Sequence, residues 1–282
     1  MSDISVITIV RDRPKHLARL IDGMTASRCA PRELVVVDMS ETPIAVPALP
    51  YPAPRIAMTT PHLALAAARN AGARAASGEL LLFLDVDCIP RPNLVAAMAH
   101  ALRETDALIC PEVRYLGPDD AALTDEAALY RASVSHPVRA FPPSGMRAEA
   151  NAGLFWSLTF GIRHARFDAL GGFDEGYRGY GAEDTDFGFR AKAAGLPLLF
   201  LGGTGSFHQH HGVISPPVQH LADIVRNAKR FHARWKIWPM EGWLHQFAQM
   251  GLVVFDGDEL RIIREPTAGE RQAAIQPPSA YF

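Results

Sequence analysis

Two hydrophobic patterns alternate along the first 110 residues of the chain. Short continuous apolar runs predict buried strands at residues 5–10, 33–38, 80–85 and 107–110, the last of which ends at Pro111. Between these runs, apolar residues recur every three or four positions and predict helices from Pro14 onward, at 63–77 and at 93–103. Strands that alternate with helices of this length indicate βαβ units, and therefore an α/β fold around a mostly parallel sheet.

The remainder of the chain has a less regular pattern. Loops are predicted where prolines or glycines concentrate, at 43–54, 139–150 and 171–182. Helices are predicted at 121–135, at 183–194 and from Pro216 to about Trp235, with a short strand at 198–201 and a loose tail after Pro266.

The chain contains no repeat and no obvious linker, so we expect one domain over residues 1–265. That domain would comprise a nucleotide-binding half at 1–110, an acceptor and catalytic half at 111–215 and a C-terminal helical segment at 216–265. A tail would follow at 266–282.

Composition excludes several classes of protein. The 28 Lys and Arg residues are balanced by 30 Asp and Glu residues, so no large positive field is available to attract nucleic acid. Three scattered cysteines do not suffice for a disulfide framework or a cysteine zinc site, and they favour a reducing compartment. The sequence has no apolar run of roughly 18 residues and no signal-peptide pattern. We therefore expect a cytoplasmic protein without a transmembrane segment, and peripheral association with a membrane stays open.

An acidic triplet follows the third predicted strand. Ligands of open parallel sheets bind beyond the carboxyl ends of the strands, which is where Asp85-Val86-Asp87 is expected to lie. At this spacing, one carboxylate can bind a divalent cation while the other supports that cation or a ligand hydroxyl. The alternative is that the triplet only caps the end of a strand.

Polar residues also follow the first two strands. Arg11 and Arg13 come after the first, and their planar guanidinium groups suit phosphate or a nucleobase carbonyl. Asp38 ends the second, and a carboxylate suits the N–H group of a pyrimidine ring. Solvated arginines near a helix start would explain the first pair equally well. Arg69, in the helix before the acidic triplet, could bind a ligand or form a salt bridge.

Two segments in the second half carry further candidate chemistry. Glu183 and Asp184 stand at the start of a predicted helix, where the helix dipole keeps an acid ionised, so that it can accept a proton from a hydroxyl. Gly181, just before them, allows a ligand to approach the backbone closely. Three histidines, His208, His210 and His211, follow a predicted strand and a glycine-rich loop, and they could complete a metal site begun by Asp87.

Together these residues resemble the inverting glycosyltransferases of the GT-A fold, in particular family 2 and the β-galactosyltransferase and chondroitin-polymerase-like groups near it. The resemblance covers residues 5–212. It lies in the order of the motifs R-D-R-x-x-H-L at 11–17, D at 38, R-N-x-G at 69–72, D-V-D at 85–87, G-G-F-D-E at 171–175, G-A-E-D-x-D-F-G-F-R at 181–190 and F-H-Q at 207–209.

The resemblance implies a Rossmann-like sheet and a metal-dependent transferase that moves a sugar from a UDP-sugar donor to a hydroxyl of a carbohydrate or glycoconjugate. The sugar would be of the galactose, GalNAc, GlcNAc or glucose type. It further implies that Asp87 and a histidine, His208 or His210, hold Mn²⁺, with Mg²⁺ less suited to an imidazole ligand. Asp184 would be the base and Glu183 would orient a substrate. The nucleotide sugar would contact Arg11, Arg13, Asp38, Arg69, Asp85, Val86, Asp87 and Gly181.

The sequence departs from the family pattern at several positions. Tyr180 stands where many relatives have Trp, and Ala182 replaces a glycine. Met39 and Ser40 follow Asp38 in place of the usual N-G-S or D-G-S, which alters the expected pocket for the base.

Three alternative functions remain at the level of the sequence. A haloacid-dehalogenase-like phosphatase also has an apolar strand followed by D-x-D, although that family places it near the start of the core. A GDP-mannose-dependent transferase would share the fold and differ in the nucleotide. A non-catalytic binding module would not need Asp184.

Overall fold

The computed structural model describes residues 3–60, 62–277 and 279–281. Within them, an α/β fold surrounds one large sheet. The strands are β1 (Ile4–Val10), β2 (Glu33–Asp38), β3 (Arg55–Ala57), β4 (Leu80–Leu84), β5 (Cys88–Pro90), β6 (Leu108–Tyr115), β7 (Val134–Ser135), β8 (Gly145–Glu149), β9 (Thr159–Arg163), β10 (Leu198–His208), β11 (Val253–Phe255) and β12 (Leu260–Ile262). The α-helices are α1 (Pro14–Thr25), α2 (Leu65–Ala75), α3 (Leu94–Glu104), α4 (Glu126–Ala132), α5 (His164–Ala169), α6 (Glu183–Ala193), α7 (Leu221–Trp235), α8 (Glu241–Gln249) and α9 (Ala268–Ala273).

The large sheet has the strand order β3-β2-β1-β4-β9-β6-β10-β5, with β7 paired to β6 and β8 paired to β10. Six of the eight strands in that order run in the same direction, while β9 and β5 run against them. The predicted mostly parallel sheet is therefore confirmed. Because β1, β2 and β4 are parallel neighbours, their carboxyl ends lie side by side at one edge.

Helices cover both faces of this sheet. Successive residues of β2 contribute to opposite cores: Leu34 and Val36 pack with α1 and α3, whereas Val35 and Val37 pack with α2, α5 and α6. A strand that is buried on both faces needs apolar residues at every position, which explains the uninterrupted runs in the sequence. A third core joins α7, α8 and the β11–β12 hairpin in the C-terminal segment.

Several sequence predictions of elements were wrong. Pro111 lies inside β6, where it pairs with Leu201 next to a register shift in β10, and prolines inside sheets concentrate at such irregularities. The glycines at 202–205, predicted as a loop, belong to β10 itself. The predicted loop at 139–150 contains β8, the predicted helix at 121–135 is broken around the shorter α4, and the predicted tail contains α9.

Candidate active site

The acidic triplet lies at the junction of two strands. Asp85 and Asp87 follow β4, and the chain then reverses into β5, which pairs antiparallel with the end of β10 so that Cys88 faces His208. The amide of Gln209 donates to the carbonyl oxygen of Asp87 at 2.7 Å. This pairing brings the start of the histidine segment against the acidic triplet, although 121 positions separate Asp87 from His208.

One carboxylate and two imidazoles form a compact group. Asp87 Oδ1 lies 3.5 Å from His208 Nε2, and Asp87 Oδ2 lies 3.7 Å from His211 Nε2. One ligand atom from each residue lies within 4.8 Å of the others. Two atoms that share one ion at about 2.0–2.2 Å are separated by no more than roughly 4.4 Å, so the two Asp87–histidine distances suit a common ion.

His211, rather than the expected His210, completes this group. In a strand, residues two positions apart point to the same face, so His208 and His210 would lie side by side if β10 continued. However, β10 ends at His208. The chain turns there, and Nε2 of His210 is buried without a hydrogen-bond partner among the described residues. The structure thus places His211, and not the expected His210, beside Asp87 and His208.

The surroundings of the group lower the pKa of Asp87 and the pKa of His208. Burial alone would raise the pKa of Asp87, but the positive charges nearby, with His208, Arg13 and His211 foremost, hold it below its usual value. Arg13 donates to Asp87 Oδ2 at 2.7 Å. Burial lowers the pKa of His208, which keeps the ring able to donate a lone pair to a cation.

Arg69 joins the acidic triplet to the start of α6. Its side chain is almost fully buried and donates to Asp85 Oδ1 at 3.0 Å and to Glu183 Oε1 at 3.1 Å. Burial raises the pKa of both carboxyls, and the guanidinium opposes that shift in each case. Arg69 thus fixes the two acids relative to each other and compensates part of their charge.

The start of α6 is held in an unusual backbone conformation. Ala182 precedes the helix with a φ of 71°, in the left-handed region that favours glycine, and Gly181 has a φ of 96°. The side chain of Asp184 is partly exposed, and it accepts from the amide of Thr185 at 2.7 Å and from the amide of Ser157 at 3.4 Å. A partly exposed carboxylate with few bonds is available to a substrate hydroxyl.

Asp186 has a different environment from Asp184. It is fully buried and accepts hydrogen bonds from Arg190, Arg234 and Trp235 at 2.8–2.9 Å. These contacts connect α6 to α7 and leave no room for a substrate. Asp186 is therefore a structural acid, although it stands only two positions after Asp184.

The other expected nucleotide-binding residues also lie at the strand ends. Asp38 is buried and accepts from the amides of Ser40 and Ile44 at 3.0 and 2.8 Å, and from Arg55 at 3.0 Å. Burial would raise its pKa, but these donors hold it below the usual value. Arg11 lies beside Asp12, with 3.9 Å between the nearest charged atoms. The side-chain Nε2 of Gln209 donates to the carbonyl oxygen of Val86 at 3.5 Å, and Gly181 lies beside Met240.

Aromatic side chains connect the group of Asp87, His208 and His211 with the region of Asp184. Tyr115 packs beside His208 with 5.0 Å between ring centroids, and His136 lies beside both Tyr115 and Trp156. Trp156 directly precedes Ser157, whose amide contacts Asp184. The sequence analysis did not predict this aromatic cluster of Tyr115, His136 and Trp156. Nothing in the spacing of these residues indicates that β6 and residues 136–156 contact each other.

A cavity of about 630 Å³ lies on the other side of α6, around residues 167–175. Its arginines are all paired with acids, among them Arg230 with Asp174 and Arg190 with Asp186. It holds none of the candidate ligands named above and is not the candidate site.

The fold and the arrangement of these acids define the class of protein, the GT-A glycosyltransferases. A model of the family described as glycosyltransferase like family 2 matches residues 56–199, about half of the 282 residues, and the chain belongs to this family.

Curated relatives are also glycosyltransferases. The chain is 29% identical over 166 residues to validoxylamine A glucosyltransferase of Streptomyces hygroscopicus subsp. jinggangensis (strain 5008), covering 48% of this chain and 36% of the relative. It is 23% identical over 199 residues to polypeptide N-acetylgalactosaminyltransferase 10 of Rattus norvegicus, covering 66% of this chain and 32% of the relative. The chain thus spans about a third of the length of these relatives.

Solved structures share the fold. One is GalNAc-T7 with UDP, GalNAc and Mn²⁺, with a TM-score of 0.54 and 16% identity over 74% of this chain and 43% of that chain. Another is S. aureus TarS 1-349 in complex with UDP-GlcNAc, with a TM-score of 0.55 and 16% identity over 82% of this chain and 67% of that chain. In the described part of this chain, none of the helices combines the length and apolar character needed to cross a membrane.

Proposed function

We propose that the protein is a metal-dependent, inverting glycosyltransferase that moves a hexose from a UDP-sugar to an acceptor hydroxyl. The observation that carries this proposal is that a possible cation-binding group and a pair of acids lie next to each other at the carboxyl ends of the strands. Asp87, His208 and His211 form a cation-binding group, and Arg69 joins its neighbour Asp85 to the acids at the start of α6. The structural neighbours with UDP or UDP-GlcNAc support a UDP-sugar donor.

Asp87, His208 and His211 would hold Mn²⁺, since a mixed carboxylate and imidazole set suits it better than Mg²⁺. When bound, the ion would neutralise the negative charge that develops on a leaving diphosphate. Arg11 and Arg13 would contact the diphosphate from β1. Asp38, which already accepts from two backbone amides and Arg55, would shape the base pocket and accept from the uracil ring through its remaining lone pair.

Asp184 would accept the proton of the attacking hydroxyl. It stands at the N-terminus of α6, where the helix dipole stabilises its negative charge. The attack would come from the face opposite the leaving diphosphate, so that a single displacement inverts the anomeric configuration. Glu183, held by Arg69, would orient the acceptor or the transferred sugar.

We further propose that residues 1–265 act as one catalytic domain with the three parts expected from the sequence. The acceptor would be a carbohydrate or a glycoconjugate. Nothing in the site favours the phosphatase alternative. A preference for GDP over UDP would instead select the mannosyl-transferring alternative.

Turnover with a panel of UDP- and GDP-sugars, followed as nucleotide release in Mn²⁺ and in EDTA, tests the donor and the metal requirement. Asp184→Asn keeps the shape of the side chain but weakens its capacity to accept a proton. It should lower turnover on the order of 10²–10⁴-fold. UDP affinity should be unchanged, because the proposed nucleotide contacts do not include Asp184.

The exposed acid Asp168 on α5 provides a matched control, since Asp168→Asn removes the same charge away from the site. Near-normal turnover in Asp184→Asn would move the base to another residue. A parallel collapse of UDP affinity would instead mean that Asp184 supports the structure of the site.

A further inference from the structure

A buried amide on α7 holds the loop that leads into the catalytic helix. Asn227 is 1% exposed, and its Nδ2 faces three backbone carbonyl oxygens, those of Arg178 at 3.0 Å, Tyr180 at 3.1 Å and Gly181 at 2.9 Å. Its Oδ1 faces the amide of Arg178 at 3.4 Å. Only the amide nitrogen can donate to three carbonyls, so the orientation of this side chain is fixed by its surroundings.

Besides Asn227, Arg226 also donates to the carbonyl of Arg178. Gly179, Gly181 and Ala182 all have positive φ, which glycine adopts freely, whereas Ala182 keeps it only where the surrounding contacts enforce it. Gly179 is tied to the carbonyl of Leu63 by one hydrogen bond and lies directly against the carboxylate of Asp223, another residue of α7. The carbonyl of Gly181 is two residues before Glu183, so a shift of this loop would move both catalytic acids.

The same loop orients Tyr180 at the edge of the site. Its ring stacks on His220 with 4.6 Å between centroids and an angle of 14°, and Trp243 lies 6.1 Å away. The side-chain amide of Asn227 donates a hydrogen bond to the carbonyl oxygen of Tyr180. The orientation of the Tyr180 backbone, and with it the direction of its ring, therefore depends on Asn227.

We propose that Asn227 is a positioning residue, which aligns Tyr180 and the acids of α6 for transfer without touching a substrate. The proposal rests on the function proposed above. It makes α7, which lies outside the region matched by the family model, a part of the catalytic apparatus. It also explains why a polar residue occupies a position on the buried face of an otherwise apolar helix surface.

The docking of α7 does not depend on this amide. Arg234 and Trp235, two turns further along, bind the buried carboxylate of Asp186. Leu221, Ile224 and Val225 belong to the third apolar core. Loss of the Asn227 contacts should therefore release the loop while the helix stays in place.

The experiment uses the full chain with Asn227→Asp and a matched control, Val225→Ala, on the same helix. Asn227→Asp keeps the size of the side chain but replaces the donor with an oxygen that faces three carbonyls. We expect kcat to fall about 10- to 100-fold, as small displacements of catalytic groups do, with the KM for the UDP-sugar and the UDP affinity within about twofold of the original. Val225→Ala should lower the thermal midpoint and leave kcat unchanged.

Hydrogen exchange of the amides at 178–182 provides a second readout that needs no activity. Exchange there should accelerate in Asn227→Asp and not in Val225→Ala, while α7 itself stays protected in both. Asn227→Ala serves the same purpose if the aspartate variant does not fold. Unchanged kcat, or unchanged exchange in a folded variant, would overturn the proposal. An original chain that turns over no nucleotide sugar would refute the proposed function, and the exchange result would still decide whether Asn227 holds the loop.

Discussion

At the scale of single residues, the choice between two adjacent histidines determines which side chains form the proposed metal site. His211 Nε2 lies 3.7 Å from Asp87, whereas His210 is excluded from the group. We therefore expect His211→Ala to weaken the Mn²⁺-dependent binding of UDP by about 10- to 100-fold, a loss typical of disturbed metal sites. Calorimetry with UDP in Mn²⁺ measures it.

His210→Ala is the matched control, because it removes the same ring one position away. It should bind UDP in Mn²⁺ like the original chain, and all three proteins should bind UDP alike in EDTA. A larger loss in His210→Ala than in His211→Ala would show that the chain after β10 rearranges when the ion binds.

The sequence predicts where candidate site residues lie in the fold when a motif stands at the end of a recognisable strand or helix. Asp85, Asp87 and the acids of α6 lie at the ends of elements that the hydrophobic pattern predicts. The two ion pairs of Arg69 could not be predicted from the sequence, because Glu183 lies 114 positions away along the chain. The position of His211 beside Asp87 could not be predicted, because it depends on where β10 ends. Pairing with β5 and β6 sets that end, rather than local strand propensity.

At the scale of the elements, Asp186 is the link between α6 and α7. Its carboxylate accepts from Arg190 on its own helix and from Arg234 and Trp235 on the other. Removal of one member of a buried ion pair typically costs about 3–5 kcal/mol. Because Arg234 is 38% exposed and can regain water, we expect Asp186→Asn to lower the free energy of unfolding by about 2–3 kcal/mol.

Urea unfolding measures this loss, with Asp168→Asn as the control for an exposed acid that should change stability by less than about 0.5 kcal/mol. Asp184→Asn, two positions from Asp186, should lie close to the control. Equal stability of Asp186→Asn and Asp168→Asn would mean that α7 is held by its apolar core alone.

An element was predictable from the sequence where burial gives it a clear local pattern of apolar residues. β2 matches its prediction residue for residue, because both of its faces are apolar. β9 escaped prediction, since it is five residues long with Gly161 at its centre. That glycine is needed for packing, as a Cβ there would lie 2.4 Å from Cε of Met98 on α3. Strand propensity predicts that such a glycine interrupts a strand. In this fold the close contact with α3 requires a glycine within the strand.

At the scale of the whole molecule, the candidate site joins distant parts of the sequence. β1, β2 and β4 supply one side, the end of β10 supplies the histidines, and α6 supplies the acids, itself held by α7. A ligand that contacts all of these parts binds only the folded chain. Its binding free energy therefore adds to the free energy of unfolding of the entire domain.

This linkage gives a prediction for the donor that needs neither an acceptor nor the correct sugar. At a UDP concentration about 100 times its dissociation constant in Mn²⁺, stabilisation should reach about 2.7 kcal/mol. For a chain of this size that corresponds to a rise of about 5 °C in the thermal midpoint.

GDP at the same concentration should raise the midpoint by much less. In the proposed function, the carboxylate of Asp38, fixed by backbone amides and by Arg55, would accept from a pyrimidine N–H, and a purine would need more room. EDTA should abolish most of the UDP effect and leave the midpoint of the free protein unchanged. An equal or larger shift with GDP would overturn the uridine assignment and select the mannosyl-transferring alternative. A UDP shift that survives EDTA would place the diphosphate on Arg11 and Arg13 alone, without an ion on Asp87.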